Sequence, residues 1–405
     1  MNQHIPVEHG NPPIINPNML TENPHANFAA LRVHYPLICL GDKHYMALRA
    51  KDVLSLLTDP RTKQIEGRDY VRLNRMPESA SSRFLSDFLL FSNDDEHRTK
   101  RGLFARTFAH GAMRTMRSEI RAVADRIVAE LPRGEDFDFV DAMAARVPAE
   151  MIAAILGLPV ADAPYFASRV YTLARAISPA YPHEEHAAID AAASDLFAYV
   201  EGHMRVRLEM PRGDVLSQLV AGWQADPKIS FQSLVNQVLG IVVAGSDTTR
   251  AAFAMMVALL LRHPDQWEAV KKTPSLIPGA VAEALRFEPS VGTVARFTTA
   301  ELDVGGVTLK PGVMLRVSTM SAMRDPELYA DPDRFDITRT DHPRLHSVFG
   351  LGPHRCLGEM LARIEMEEGL AALIAAAPDI RVRTEPRMIG FGGIRQITPM
   401  KIRIN

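Results

Sequence analysis

Cysteine is nearly missing from this chain: 405 residues hold two, Cys39 and Cys356. So few thiols exclude a disulfide scaffold and fit a reducing compartment. Charge of one sign is missing as well. Lys+Arg number 46 against Asp+Glu 48, a net charge of -2, which excludes the strong basic footprint of a nucleic-acid protein. The N-terminal stretch Met1 to Leu20 is polar and proline-rich, with neither a signal peptide's apolar core nor a membrane anchor. The most apolar run, Val238 to Leu261, is interrupted by Ser246-Asp247-Thr248-Thr249-Arg250 and falls short of an uncharged span of ~20 residues. A cytoplasmic protein is expected, without a membrane or nucleic-acid partner. No Gly/Ser linker, charge block or repeat divides the chain. One domain over residues 1–405 is therefore expected, although length alone would suggest two or three at ~150 residues each.

What is present is material for a large core: 47% hydrophobic residues and 23% charged. Leu37 to Leu48 reads as short strands around a turn at Gly41-Asp42, and Lys51 to Leu57 as a short helix ending at Asp59-Pro60. Arg61 to Phe91 has weak periodicity and many charges, and is expected to be a long irregular segment, often a functional lid. From Asp95 to about Leu261 helical periods dominate, broken at Pro132-Arg133-Gly134, Gly157-Leu158-Pro159, Pro179 to Pro182 and Pro211-Arg212-Gly213. Strands return between Val291 and Val317. The C-terminal stretch with Gly390, Gly392, Gly393 and Pro399 reads as a hairpin or small sheet. The fold class is mainly α, a large helical bundle with small β-sheets.

The most informative segment runs from Phe349 to Gly358, Phe-Gly-Leu-Gly-Pro-His-Arg-Cys-Leu-Gly. It is a glycine-punctuated loop that delivers Cys356 to the start of a helix. Apolar residues then fall at Leu357, Met360, Leu361, Ile364, Met366, Leu370, Leu373 and Ile374, a helical period. Free amide groups and the positive dipole end at a helix N-terminus favour a thiolate. Gly350, Gly352 and Gly358 suit a tight loop and close approach to a flat ligand. A thiolate held in this way suits the axial position of a haem iron.

The segment resembles the haem-binding loop of the cytochrome P-450 family, the haem-thiolate monooxygenases, whose pattern Phe-Gly-x-Gly-x-His-x-Cys-x-Gly it matches at every fixed position. The resemblance implies the P-450 fold, haem b (iron protoporphyrin IX) as cofactor and Cys356 as the metal ligand, with Phe349, His354 and Gly358 around it. Further matches follow along the chain. Ala244-Gly245-Ser246-Asp247-Thr248-Thr249 lies inside an expected helix from Phe231 to Leu261. Its hydroxyls can bond back to carbonyls four residues earlier and bend the helix. It is similar to the family's oxygen-activation motif, with Ala244 and Gly245 beside the haem. Thr248 and Asp247 are then the catalytic pair, hydrogen-bonding the activated oxygen and relaying protons. Glu283 and Arg286, at i and i+3, can pair on one helix face. The resemblance adds Arg334, from Asp331-Pro332-Asp333-Arg334-Phe335, as third member of a buried structural network behind the Cys356 loop. His97 and Arg101, at i and i+4, with Arg296 and His354, are the candidates for the two haem propionates. One departure stands here: Asp94-Asp95 occupies the place where the family often has Pro-Pro.

The resemblance implies a soluble bacterial-type monooxygenase. It would insert one atom of dioxygen into a small, mostly apolar organic substrate, with electrons from a separate ferredoxin and reductase. A chain without a fused reductase and a monomer are expected. A peroxide-driven enzyme on the same fold, or a non-catalytic haem-binding protein, is the alternative; the Asp247-Thr248 pair counts against both. Substrate walls are expected from Arg61–Phe91, Ser168–His183, Gly240–Thr248, Val291–Ala295 and Met388–Ile394, with Phe84, Phe88 and Leu89 contributing apolar surface. The arginines of the Arg61 to Arg83 stretch fit a solvated lid paired with Glu66, Asp69 and Glu78 better than a site for an acidic substrate.

Overall fold

A computed structural model describes residues 12–105, 107–177, 181–343 and 346–405. They form two compact units interleaved in sequence. The first is Met1–Ile65, Ala282–Cys356 and Met388–Gln396; the second is Glu66–Val281, Leu357–Arg387 and Ile397–Asn405.

The first unit is built on a five-stranded sheet. Leu37–Gly41 and His44–Ala47 form the expected hairpin, with Lys43 at a positive φ of 50° in the turn. His44–Ala47 runs parallel to Met314–Val317, Tyr45 opposite Leu315. Met314–Val317 pairs antiparallel with Val294–Thr298, and Thr62–Lys63 closes the far edge. One face carries Leu37, Ala47, Leu315 and Val317 into a core shared with Val53 and Leu56 of the Ala50–Leu56 helix. A second cluster gathers Phe28, Leu31, Ile38, Met46 and Met320.

The second unit is helical and is organised around the 32-residue helix Phe231–Arg262. Ser230 starts it, its hydroxyl accepting the Ser233 amide at 3.0 Å. Helices Arg146–Leu156, Ala163–Ala174 and His186–Glu209 pack around it. By length and composition this helix could cross a membrane, contrary to the expectation from its charged interruption. Of its most apolar window, however, 78% is buried inside the protein, which makes it a core helix. Helix Glu359–Ala376 reaches it through Gly369, where a methyl group would come within 2.8 Å of the Phe253 ring. A small antiparallel sheet joins Asp136–Asp138, Lys401–Arg403 and Arg381–Thr384.

Arg61 to Phe91 departs from expectation. It is not irregular but holds helices Gly67–Leu73 and Ala80–Asp87 and a 3-10 turn at Leu89–Phe91. A capping box starts the second helix: the Ser79 hydroxyl accepts from the Ser82 amide, and the Ser82 hydroxyl from the Ser79 amide. Arg68, Arg72, Arg75, Glu78 and Arg83 are exposed, while Tyr70, Phe84, Leu85 and Phe88 are buried. The charges thus cover one face and the aromatic residues fill the other.

Candidate active site

The loop before Cys356 is shaped by its glycines. After a 3-10 turn at Ser347–Phe349 the chain takes a φ of +68° at Gly350 and +70° at Gly352, values that suit glycine and few other residues. At Gly352 a side chain would also press on the Leu57 carbonyl, 3.2 Å away. The loop closes on itself: the Cys356 amide donates to the Phe349 carbonyl at 2.8 Å, and the Arg355 guanidinium to the Gly350 carbonyl at 2.9 Å. The Cys356 thiol is left exposed. Helix Glu359–Ala376 begins with Gly358 as its cap, so Cys356 stands just upstream of the positive helix end. His354 lies in the 3-10 turn Gly352–His354.

Behind this loop lies a buried ion-pair network. Arg286 and Glu283 are both 0% exposed and pair in a bidentate fork, Nε to Oε2 at 2.7 Å and Nη2 to Oε1 at 2.8 Å. Arg286 also donates to the carbonyls of Met323 (2.8 Å), Pro332 (2.7 Å) and Arg334 (3.1 Å). The third side chain differs from the expected one. Arg334 points outward with its side chain 68% exposed and pairs with Asp336 at 3.6 Å. Arg339, with its side chain 6% exposed, takes the inner place: its Nε lies 3.4 Å from Glu283 Oε2. Arg334 contributes only its carbonyl. His342 stands 3.7 Å from the same carboxylate, and the His346 ring, beside the Phe349 ring, bonds the Ala282 carbonyl at 3.1 Å. Sequence reasoning missed Arg339, His342 and His346. No periodicity marks them, because residues 323–346 form no helix or strand among those described.

In the second unit, the long helix is buried from residue 233 to 260 except at Ala244, Gly245, Thr248 and Arg250. An accessible face therefore opens in the middle of a core helix, at the motif. Both predicted back-bonds are present, Ser246 Oγ to the Val242 carbonyl at 2.8 Å and Thr248 Oγ1 to the Ala244 carbonyl at 2.9 Å. Asp247 is 1% exposed, and its carboxylate accepts from Arg250 at 2.6 and 2.9 Å. Arg250 in turn lies over the Tyr171 ring, 4.6 Å from its centroid.

The four cations divide between the units. His97 and Arg101 sit on helix Asp94–Gly102. Burial, and then the charges of Arg101 and Arg98, push the His97 pKa down to about 4, so its imidazole is neutral at pH 7. Arg296, on the strand Val294–Thr298, is 3% exposed. It donates to Gln64 Oε1 at 2.6 Å and to the Ala295 carbonyl at 3.0 Å, and pairs with no carboxylate among the described residues. Burial lowers its pKa to about 10, which still leaves it charged.

With this geometry in hand, known proteins can be compared. A family model described as Cytochrome P450 matches residues 183–376. The plant-inducible cytochrome P450-pinF1 of Rhizobium radiobacter is 37% identical over 383 residues, 94% of this chain and 90% of that protein. The chain belongs to the cytochrome P450 family. Nocardicin C N-oxygenase of Nocardia uniformis subsp. tsuyamanensis is 31% identical over 90% of this chain and 91% of its own. Among solved structures, the P450 enzyme CxnD, described as acting in C–S bond formation in chuangxinmycin biosynthesis, superposes with a TM-score of 0.88. It is 29% identical and covers 98% of each chain. The protein is thus a bacterial-type P450 monooxygenase with haem b as its cofactor. Its residues fit that group. An exposed thiol at a glycine loop can ligate iron, and a buried arginine without a carboxylate partner calls for an anion such as a propionate.

Proposed function

We propose that this P450 inserts one atom of dioxygen into a small, mostly apolar organic molecule, with electrons from a separate ferredoxin and its reductase. One observation carries the reading: the otherwise buried helix is accessible at Ala244, Gly245 and Thr248, where an acid and a hydroxyl stand next to each other. Haem b, when bound, supplies dioxygen activation and oxygen-atom insertion. The Cys356 thiolate would hold its iron, and Arg296, His97, Arg101 and His354 its propionates. Thr248 Oγ1, which donates its one hydrogen to the Ala244 carbonyl, keeps its lone pairs to accept at the accessible face. Asp247 is the ionisable group behind it and passes protons inward as a general acid. Arg250 pairs with that carboxylate at 2.6 Å. Ile241 and Ala244 on the helix, and the Phe84–Leu89 segment, supply apolar surface for substrate. Relatives include an N-oxygenase and a C21 methyl hydroxylase, so the shared oxygen chemistry transfers to this chain rather than either substrate.

The test is spectral and kinetic. The reduced protein with carbon monoxide should show the strongly red-shifted Soret band of a thiolate-ligated haem, and Cys356→Ala should lose it. Surrogate ferredoxin and reductase should sustain NADH consumption. A protein that turns over substrate with hydrogen peroxide and ignores the ferredoxin would be the peroxide-driven type instead. A spin-state screen of small apolar molecules then identifies the substrate class.

A further inference from the structure

The helix Pro24–His34 is anchored at its two ends by side chains of different kinds, all within the first unit. Near its end Arg32, 6% exposed, donates to the Ser321 carbonyl at 2.9 Å and the Arg324 carbonyl at 2.6 Å. A guanidinium keeps its charge at any ordinary pH, so this anchor does not titrate. The first turn has no side-chain cap; Asn23 precedes it at a φ of 47°. His25, in that turn, reaches across to Glu288 instead, Nε2 to Oε1 at 2.9 Å.

From Glu288 the contacts run on to a glycine-rich turn. Glu288, 9% exposed, accepts from Arg395 Nη1 at 2.6 Å, and Arg395 Nε donates to the Gly390 carbonyl at 2.9 Å. The Gly292 amide donates to the Gly393 carbonyl at 2.9 Å, and the Arg395 amide to the Ser290 carbonyl at 2.7 Å. An aromatic contact runs alongside: Phe28, one turn on from His25, meets the Phe391 ring edge-on, with centroids 6.4 Å apart at 71°. Helix and turn, far apart in sequence, are thus joined twice.

His25 is the member of this line whose charge changes near neutral pH. Glu288, Arg324 and Arg395 are the charged groups that face it, and Asp333 lies beyond Arg324 at 3.2 Å. An ionised carboxylate only accepts, so His25 Nε2 carries the hydrogen. Nδ1 finds no hydrogen-bond partner among the described residues. A second proton would place an unaccepted N–H there, beside two arginines and at the positive end of the helix. Burial lowers the His25 pKa, with Arg324 and Arg395 adding to the effect and Glu288 opposing it. Once the helix lets go, the freed imidazole takes up its proton at about pH 6.5. The contact is therefore firm above that pH and weakens as pH falls below it.

We propose that His25 is a positioning residue that acts as an acid-sensitive latch. Neutral, it clips helix Pro24–His34 to Glu288 and, through Arg395, steadies the turn from Gly390 to Ile394; protonated, it releases both. The latch stands apart from the monooxygenase reading and rests on it only for its consequence, a wall of the substrate cavity that loosens in acid.

The test is hydrogen–deuterium exchange of the purified holoenzyme at about pH 7.5 and about pH 5.5, corrected for the intrinsic exchange rate at each pH. In the wild type, protection of residues 24–30 and 388–396 should fall by up to about tenfold at the lower pH. Peptides from Phe231–Arg262 should keep theirs. His25→Gln puts an amide N–H in place of the imidazole N–H and has no proton to gain, so both segments should stay protected at both pH values. His25→Ala should loosen both already at the higher pH. Equal wild-type protection at the two pH values, or an acid loss that persists in His25→Gln, overturns the latch. Loosening of residues 24–30 alone in His25→Ala overturns the relay to the turn. Failure of the monooxygenase reading would show separately, as a missing carbon monoxide band in the wild type with the exchange pattern intact.

Discussion

Glu283 is the residue on which the loop support depends most. Its two oxygens receive the Arg286 fork and the Asp336 amide at 2.9 Å, with Arg339 and His342 close by. Glu283 and Arg286 are both 0% exposed and the Arg339 side chain 6%, so removing one partner strands the others. Glu283→Ala should cost about 3–5 kcal/mol in denaturant unfolding and lower haem content with it. Arg339→Ala should act in the same direction, whereas Arg334→Ala should stay within about 0.5 kcal/mol, as exposed substitutions do. If Arg334→Ala matches Glu283→Ala, the inner arginine has been misassigned. Thr248 offers a different test at this scale. Thr248→Ala should leave substrate binding and first reduction nearly intact while product per NADH drops and hydrogen peroxide rises. Tight coupling in that variant would reduce Thr248 to a helix-bending hydroxyl. The sequence pattern revealed the Glu283–Arg286 pair and the Thr248 back-bond, because helical geometry places them. It could not choose between Arg334 and Arg339, since a loop has no period to say which side chain turns inward.

At the scale of elements, the segment Gly390 to Arg395 shows how a glycine-rich turn is held. Arg395, 1% exposed, donates to the Gly390 carbonyl at 2.9 Å and to Glu288 at 2.6 Å. Gly292 packs so closely on Phe391 that a methyl group would stand 2.4 Å from its carbonyl oxygen. Burial alone would raise the Glu288 carboxyl, but the His25 hydrogen bond and the charges of Arg395, His25 and Arg324 prevail and hold it at about 2. A carboxylate held below its unfolded value stabilises the fold above that value and loses the contribution as pH falls from the ordinary carboxylate range toward 2. Glu288→Gln should therefore lower the melting temperature at pH 7 and flatten the acid limb between about pH 4.5 and 2. An acid limb as steep as the wild type's would show that Glu288 is not its source. Element boundaries were legible where signals are strong: the 32-residue helix, the turn at Gly157 with its φ of 84°, and the Leu37–Ala47 hairpin. The helices Gly67–Leu73 and Ala80–Asp87, of 7 and 8 residues, were not. Two turns are too short for a period to emerge from a charge-rich background.

Across the whole molecule, buried ionisable groups pull stability in opposite directions with pH. His44 and His97, both pushed down to about 4 mainly by burial, stay neutral in the fold. The unfolded chain takes up protons first, so stability falls as pH drops from about 6.5 to 4. Glu365 does the reverse. It lies on the helix that follows Cys356, is 1% exposed, and neither carboxyl oxygen finds a hydrogen-bond partner among the described residues. Burial raises its pKa well above the usual carboxylate value, so the fold holds it protonated. The unfolded chain releases that proton from about pH 4.5 upward, and stability is lost as pH rises from there until the folded group ionises too. Glu365→Gln keeps the shape and removes the titration. Its stability relative to wild type should grow by roughly 1–2 kcal/mol per pH unit above pH 4.5, measured by urea unfolding of the holoenzyme. A difference that stays flat from pH 5 to 8 would mean that Glu365 ionises in the fold as readily as in the unfolded chain, which a carboxyl so enclosed in apolar helix packing has no means to do.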